Sequence, residues 1–353
     1  MGSERSWEMR KVLVLFLILG NIALCGDSQN EEPRVKDAFL RNAQIGRGVN
    51  LGNALEAPKE GEWGIRLEEG YFDLIQKAGF TSVRIPVRWS SHASDKPPYI
   101  IEKSFLDRVD WAVSQTLSKG LIAIINIHHY EKLVELPPEH KKRFLALWKQ
   151  ISEHYKNQPD SLFFELLNEP CKKMTSDLWN EYLVEAIKLI RTTNPTRIII
   201  VGPTNWNNIS ELKSLKLPPL DRNIIVTFHY YSPFHFTHQG ASWVGEQSKS
   251  WLGTSWLGTE KEKQDVITDL ERACQWSKDN NRPLYMGEFG AYSKADMGSR
   301  VRWASFVRSE AEKRGISWAW WEFCAGFGVY DKDKKEWRTD LLASLIPPRQ
   351  EIK

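Results

Sequence analysis

Apolar residues along the chain follow two alternating rhythms. Short continuous runs such as Ile198-Ile199-Ile200-Val201 have the length of a strand and no polar face. They read as strands covered on both sides, as in a parallel sheet. Between them, apolar residues return every third or fourth position, the spacing of one face of a helix. The strand-like runs are Ile45–Leu51, Ser82–Val87, Leu121–Ile127, Leu162–Leu167, Arg197–Val201, Ile224–Phe228, Leu284–Gly287 and Ser317–Trp321. Helical stripes run through Phe72 and Ile75, then Phe105 to Leu117, Phe144 to Tyr155, and Leu183 to Ile190. Further stripes run through Val266 to Trp276 and Val301 to Ala311, with short helices expected at Ile209–Leu215 and Asp340–Ile346. Gly79 suits the left-handed end of the first stripe, and Gly120 stops the second.

Eight strands alternating with helices over about 300 residues predict a (β/α)8 barrel. A doubly wound open sheet is the rival, but no Gly-x-Gly-x-x-Gly turn follows an early strand. No repeat or low-complexity linker divides the chain, so one catalytic domain is expected, from residue 39 to 347. Its longest connection, Ser232–Thr259, carries Trp243, Trp251 and Trp256 among Gly and Ser. A loop of that length in a compact domain is usually functional.

The N-terminus reads as a targeting segment. Arg5, Arg10 and Lys11 precede the apolar run Val12–Leu24, and Ala23-Leu24-Cys25 offers a cleavage region. The expectation is a secretory signal over residues 1–25 and a polar tail over 26–38, giving an extracellular or periplasmic protein. The run is short for a membrane span, so no stable membrane association is expected once the signal is removed. A lipid anchor on Cys25 is the less favoured alternative, because Leu24 is a poor residue before such a cysteine. Without Cys25, the odd set Cys171, Cys274 and Cys324 makes no disulfide framework, and no C-x-x-C pair suggests zinc.

Composition narrows the partners. Of 353 residues, 26% are charged and 41% hydrophobic, ordinary for a globular protein. A net charge of +3 is too small to imply nucleic acid or an acidic membrane surface. Sixteen Trp, ten Tyr and fifteen Phe are the unusual count. Aromatic rings fill cores by default, but in an open cleft their flat faces also suit the C–H faces of sugar rings.

In a barrel of this type the active site lies at the C-terminal ends of the strands. Strand one delivers Asn50 and Asn53, strand two Arg84, and strand three His128 and His129. Strand four ends in Asn168 and Glu169, and strand five leads to Trp206. Strand six ends in His229-Tyr230-Tyr231, strand seven in Glu288, and strand eight in Trp320-Trp321-Glu322. Taken singly, each has a plainer reading. Arg84 could be a structural ion pair, and Glu322 a charge on the rim. The two histidines could be core residues or metal ligands. Adjacent strand residues point to opposite faces, so they can hardly share one metal, and one of Tyr230 and Tyr231 belongs to the core. No metal site and no cofactor are expected.

Two carboxylates stand out, Glu169 and Glu288. Paired carboxylates in a sugar-sized cleft are the machinery of glycoside hydrolysis, one a protonated acid and the other an ionised nucleophile. Arg84 and a tyrosine hydroxyl are expected to keep the nucleophile ionised, and its charge to keep the acid protonated.

Together these stretches closely resemble glycoside hydrolase family 5, the cellulase-type branch of the retaining (β/α)8 glycosidases. The match runs through Gly-Val-Asn-Leu-Gly-Asn-Ala-Leu-Glu (48–56), Val-Arg-Ile-Pro-Val-Arg-Trp (83–89), Asn-Ile-His-His-Tyr (126–130) and Leu-Leu-Asn-Glu-Pro (166–170). It continues through His-Tyr-Tyr (229–231), Gly-Glu-Phe-Gly (287–290) and Trp-Glu-Phe (321–323). The resemblance implies that Glu169 is the general acid/base and Glu288 the nucleophile. It puts Asn168 at the sugar 2-hydroxyl, Arg84 beside the nucleophile, and His229 beside the acid/base. It also bonds Tyr231 to the nucleophile, makes His128 the strand-three histidine and Trp321 a platform under the sugar. Asn53, His129, His238 and Trp243 resemble subsite residues. The activity implied is a retaining endo-β-1,4-glucanase acting on a β-linked polysaccharide, with β-mannanase or dual specificity as the alternative. A non-catalytic carbohydrate-binding barrel is the remote alternative, disfavoured because binding alone requires no acid–nucleophile pair.

Overall fold

The structure is a computed structural model and describes residues 37–348. Its barrel strands are β1 (Arg47–Asn50), β2 (Ser82–Ile85), β3 (Ile122–Asn126), β4 (Leu162–Glu165), β5 (Ile199–Val201), β6 (Ile224–Tyr230), β7 (Leu284–Phe289) and β8 (Ser317–Trp320). Each strand pairs in parallel with its sequence neighbours, and β8 closes on β1 with Trp318 opposite Arg47. Every expected strand-like run overlaps one of these strands, and β6 and β7 each extend two residues past theirs, to Tyr230 and Phe289. The fold is therefore the (β/α)8 barrel, and the described residues fall within one compact unit, Val35–Lys353.

The helices are α1 (Ala38–Ile45), α2 (Glu69–Ala78), α3 (Lys103–Ser118), α4 (Glu131–Glu135), α5 (Pro137–His154), α6 (Ser176–Arg191), α7 (Thr204–Asn207), α8 (Phe234–Thr237), α9 (Glu260–Asn280), α10 (Met297–Lys313) and α11 (Thr339–Leu345). Gly79 caps α2 in the left-handed conformation, at φ 99°. The connection Ser232–Thr259 is not bare loop. It holds α8 and two 3-10 turns, and buries Trp256 while leaving Trp243 59% exposed.

One element departs from expectation. Ile45 does not begin a strand; it ends α1, whose first residue, Ala38, is helical and not part of the expected tail. Asp37 caps α1 by accepting from the Phe39 N–H at 2.9 Å. Asn42 then bonds the starts of two strands, donating to the Leu284 carbonyl at 2.9 Å and accepting from Ser317 Oγ at 2.7 Å. Ala38 and Ile45 join Ile122, Phe163, Ile198 and Tyr285 in an apolar plug that fills the barrel. The short stretch AFLRNAQI hides this role, because its bulkiest apolar residues, Phe39 and Leu40, are exposed while its buried face is Ala38, Asn42 and Ile45. The proposed signal, Cys25 and residues 26–36 of the tail lie outside the described residues. Among the described residues, no helix is long and apolar enough to cross a membrane.

Above the plug, toward the C-terminal strand ends, the interior turns polar. Asn50, Arg84, Asn126, Glu165, His229 and Glu288 are all buried there, on six different strands. Charged residues are almost never fully buried unless paired. Their partners define the site.

Candidate active site

Arg84 is the hub of this polar layer. Alternation along β2 sends its side chain inward, and all five guanidinium N–H groups find acceptors. Nε and Nη2 grip both oxygens of Glu165 at 2.6 and 2.7 Å. Nη2 also donates to Asn168 Oδ1 at 2.7 Å, while Nη1 donates to Asn50 Oδ1 at 2.9 Å and Glu288 Oε1 at 2.7 Å. Asn50 is satisfied in turn by the Gly287 and Trp320 carbonyls, at 3.0 and 3.2 Å. Arg84 is thus both the structural ion pair and the neighbour of Glu288. Strand-end position does not single out Glu165, although a carboxylate in the apolar run Leu162–Leu167 is a signal of a buried cation opposite.

Glu288 reaches the interior through an irregularity. Met286 and Phe289 both belong to the outer core, three positions apart, which strict alternation forbids. The register of β6 and β7 shifts between the pairs Phe228–Met286 and His229–Glu288. One extra residue, Gly287, is absorbed there as a β-bulge, and the bulge turns Glu288 inward. A side chain on Gly287 would meet Thr227 Oγ1 at 2.6 Å, so only glycine fits. The Tyr231 hydroxyl donates to Glu288 Oε2 at 2.8 Å. Tyr230 points the other way, with its hydroxyl on Asp269 at 3.2 Å and its ring stacked near Trp303.

Glu169 lies past the end of β4, in a left-handed conformation with φ 49°. Its Oε1 lies 2.7 Å from His229 Nδ1, which is also 3.5 Å from Glu288 Oε2. One donor atom from each of Glu169, His229 and Glu288 lies within 4.8 Å of the other two, the one acidic and imidazole trio this compact among the described residues. The two carboxyl groups therefore face each other at close range. Hydrogen bonds from Arg84, Tyr231 and His229 already engage three of their four oxygens.

Burial dominates the titration of both. It pushes Glu169 up to about 7, with Arg84 opposing and Glu165 reinforcing the rise. It also raises Glu288, against His229 and Arg84. The expected lowering of Glu288 by Arg84 does not dominate, because Arg84 spends two of its donors on Glu165 and shares its charge between two carboxylates. Two hydrogen bonds to the Glu288 oxygens still favour its charged form. Likewise burial, not the charge of Glu288, is the first cause of the raised Glu169. Burial also lowers His229, His129 and His238 to about 4, and His128 well below the usual histidine range. All four rings are neutral near pH 7.

The remaining expected residues surround these carboxyls. A cavity of about 810 Å³ is lined by Asn53, His128, His129, Asn168 and Trp321 among others. A second, of about 730 Å³, includes Trp206 and Asn208, and Glu169, Tyr231, His238 and Trp243 line both. His128 Nδ1 accepts from Asn126 Nδ2 at 3.1 Å, so its proton is on Nε2, and its ring stacks parallel to Trp321 at 5.8 Å. The opposite-face expectation for His128 and His129 fails. β3 ends at Asn126 and His129 sits at φ 49°, so both rings line the cavity, 4.4 Å apart. Glu322 is not a rim charge. It is fully buried, accepts from the Cys324, Ala325 and Phe327 N–H groups, and is raised by burial to about 7. Glu56, the last residue of the stretch 48–56, accepts from the Asn53 and Ala54 N–H groups and lines the first cavity. Cys171, Cys274 and Cys324 are free thiols.

Fold and site together define a class: a (β/α)8 protein whose cleft pairs one firmly anchored carboxyl with one loosely held. Residues 46–326 match the model for cellulase (glycosyl hydrolase family 5). Endoglucanase H of Acetivibrio thermocellus is 38% identical over 325 residues, covering 90% of this chain and 35% of that protein. Cel5A of Thermotoga maritima, solved with mannotriose, is 53% identical with a TM-score of 0.86, covering 88% of this chain and 100% of that one. A cellobiose complex of the same Cel5A gives 54%, 0.86, 88% and 100%. The chain belongs to glycosyl hydrolase family 5. It spans about a third of the length of the first two curated relatives it matches, 35% in each.

Proposed function

We propose that the chain is an endo-β-1,4-glucanase that cleaves by double displacement with retention. The observation that carries this reading is the pairing of Glu288, held by Arg84 and Tyr231, with Glu169, held by His229, within 4.8 Å. Retaining glycosidases place their carboxyls about 5–5.5 Å apart, whereas inverting ones leave roughly 6.5–9.5 Å for a water. Glu288 attacks the anomeric carbon as the glycosidic C–O bond breaks, and Glu169 gives its proton to the departing oxygen. Glu169 then takes a proton from water, which attacks the glycosyl-enzyme and frees Glu288.

Asn168 suits the sugar 2-hydroxyl, because Arg84 occupies its Oδ1 and leaves Nδ2 to donate. His128 Nε2–H, Asn53, His129, His238 and Trp243 line the path of the chain, with Trp321 as the stacking platform. Cavities on both sides of Glu169 suit sugars on either side of the scissile bond, which is endo cleavage. A second specificity, for β-1,4-mannan, is favoured by the mannotriose complex of a protein 53% identical. The proposed export of the enzyme rests on residues 1–25 and places it among polysaccharides outside the cell.

The test is release of reducing ends from carboxymethyl-cellulose, mixed-linkage glucan, mannan and xylan in parallel, with proton NMR of the first anomer formed. The expected result is a β-anomer from glucan and mannan with rapid loss of viscosity. An α-anomer would sink retention. Oligosaccharide binding without new reducing ends would leave only a binding barrel.

A further inference from the structure

The turn after β5 is not an ordinary piece of helix. Asn205, Trp206 and Asn207 hold φ of 56°, 59° and 55°, three successive non-glycine residues in the left-handed region. Asparagine visits that region readily, but a run of three is outside normal backbone preference. The turn is tied down from several sides. The Trp206 N–H donates to the carbonyl of Pro170, the residue after Glu169, at 3.3 Å. Thr204 Oγ1 pairs with Ser176 Oγ at 2.7 Å, and Trp179 Nε1 donates to the Gly202 carbonyl at 2.8 Å.

What the turn delivers is the side chain of Asn207. It is fully buried and lines neither cavity. Its Nδ2 lies 3.2 Å from His229 Nε2, while its Oδ1 is a buried oxygen with no hydrogen-bond partner among the described residues. A Cβ on Gly202 would stand 2.1 Å from that oxygen, so glycine at 202 is what admits the amide. An amide N–H facing a ring nitrogen makes that nitrogen the acceptor, and a neutral imidazole then carries its proton on the other one. The other nitrogen, Nδ1, is the one 2.7 Å from Glu169 Oε1.

We infer that Asn207 is a positioning residue for Glu169, acting through His229: it fixes the imidazole in the form that donates to Glu169 Oε1. This rests on the reading of Glu169 as acid/base. With Oε1 accepting, the proton delivered to the leaving oxygen resides on Oε2, which has no hydrogen-bond partner among the described residues. Strain in the backbone at 205–207 is consistent with a residue kept for such a task, since strained turns persist where surrounding structure over-determines them.

The test uses the full chain and aryl β-cellobiosides whose leaving groups span a wide range of acidity. Asn207→Asp keeps the size but replaces the donor with an acceptor, and Asn207→Leu removes it. Both variants should lose kcat/KM, which reports the first step alone, about tenfold on a phenol leaving group and less than about twofold on a dinitrophenol. An equal loss on every leaving group, or none, overturns the inference. Glu169→Ala run on the same series separates the two claims. If it shows no leaving-group dependence, the acid/base reading itself fails; if it does and Asn207→Asp does not, only the role of Asn207 fails. Wild-type protein labelled with 15N-histidine supplies a readout independent of folding of the variants. A proton on His229 Nδ1 with a bare Nε2 supports the inference, and the reverse arrangement overturns it.

Discussion

The ends of β7 and β4 present the same side chain and treat it in opposite ways. Glu288 sits inside a strand, turned inward by a bulge, bonded by Arg84 and Tyr231, with its side chain 6% exposed. Glu169 sits beyond its strand on a left-handed residue, bonded by His229 alone among the described side chains, and 25% exposed. A nucleophile must hold one position and stay charged. An acid/base must receive and release a proton within each turnover. The difference in anchoring is what the two proposed roles require.

Replacement of each carboxyl is the strongest way to break the comparison. Glu288→Gln keeps the shape but not the proposed nucleophile, and kcat/KM should fall on the order of 10⁵-fold on every substrate, activated or not. Glu169→Gln should fall about 10³-fold on polysaccharide, within the usual span for general acid catalysis, and far less on dinitrophenyl glycosides. Parallel kinetics on both substrate types distinguish the residues. Equal leaving-group profiles for the two variants would mean that the roles are not divided as stated.

Arg84 probes the firm end. Arg84→Leu leaves Glu165 buried with no cation, because Glu165 has no exposure and both its oxygens bond Arg84. Removing one partner of a buried pair costs about 3–5 kcal/mol, to be read from urea unfolding. A loss below about 1 kcal/mol, the range of a surface pair, would show that Glu165 does not depend on Arg84.

These contrasts were unevenly legible in the sequence. The strands were readable because runs buried on both faces leave no polar position to confuse them, and the polar residues ending them could be read off in order. Periodicity could not reveal Gly287 as a bulge. Counting by twos puts Glu288 on the same face as Met286, outside the barrel, and only the register against β6 shows otherwise. Glu165 was in plain view inside Leu-Phe-Phe-Glu-Leu-Leu, yet its meaning depends on Arg84, 81 residues earlier. Asn207 gave less signal still, since its role lies in a backbone conformation that composition does not encode. His129 escapes the alternation rule for a related reason: alternation holds only within a strand, and β3 ends at Asn126, three residues earlier.

The finest test of the loose end is pH. Glu169 titrates at about 7 in the folded protein, against 4.5 ordinarily. Hydrolysis of substrates that need the acid should therefore decline as pH rises past 7, and dinitrophenyl substrates should lack that limb in their first step. Stability carries the same signature. A carboxyl whose pKa is raised by folding favours the folded state fully while it is protonated, below 4.5, and that contribution is lost as pH climbs through 7. The whole swing is at most about 3 kcal/mol, and access of water to the carboxyl makes it smaller. Urea unfolding at pH 5 and pH 8 should show a smaller drop for Glu169→Gln than for wild type. The drop should persist in part, because Glu56 and Glu322 are raised to about 8 and about 7 in the same way. Identical pH slopes in variant and wild type would place Glu169 in an ordinary, water-filled setting and remove the basis for its difference from Glu288.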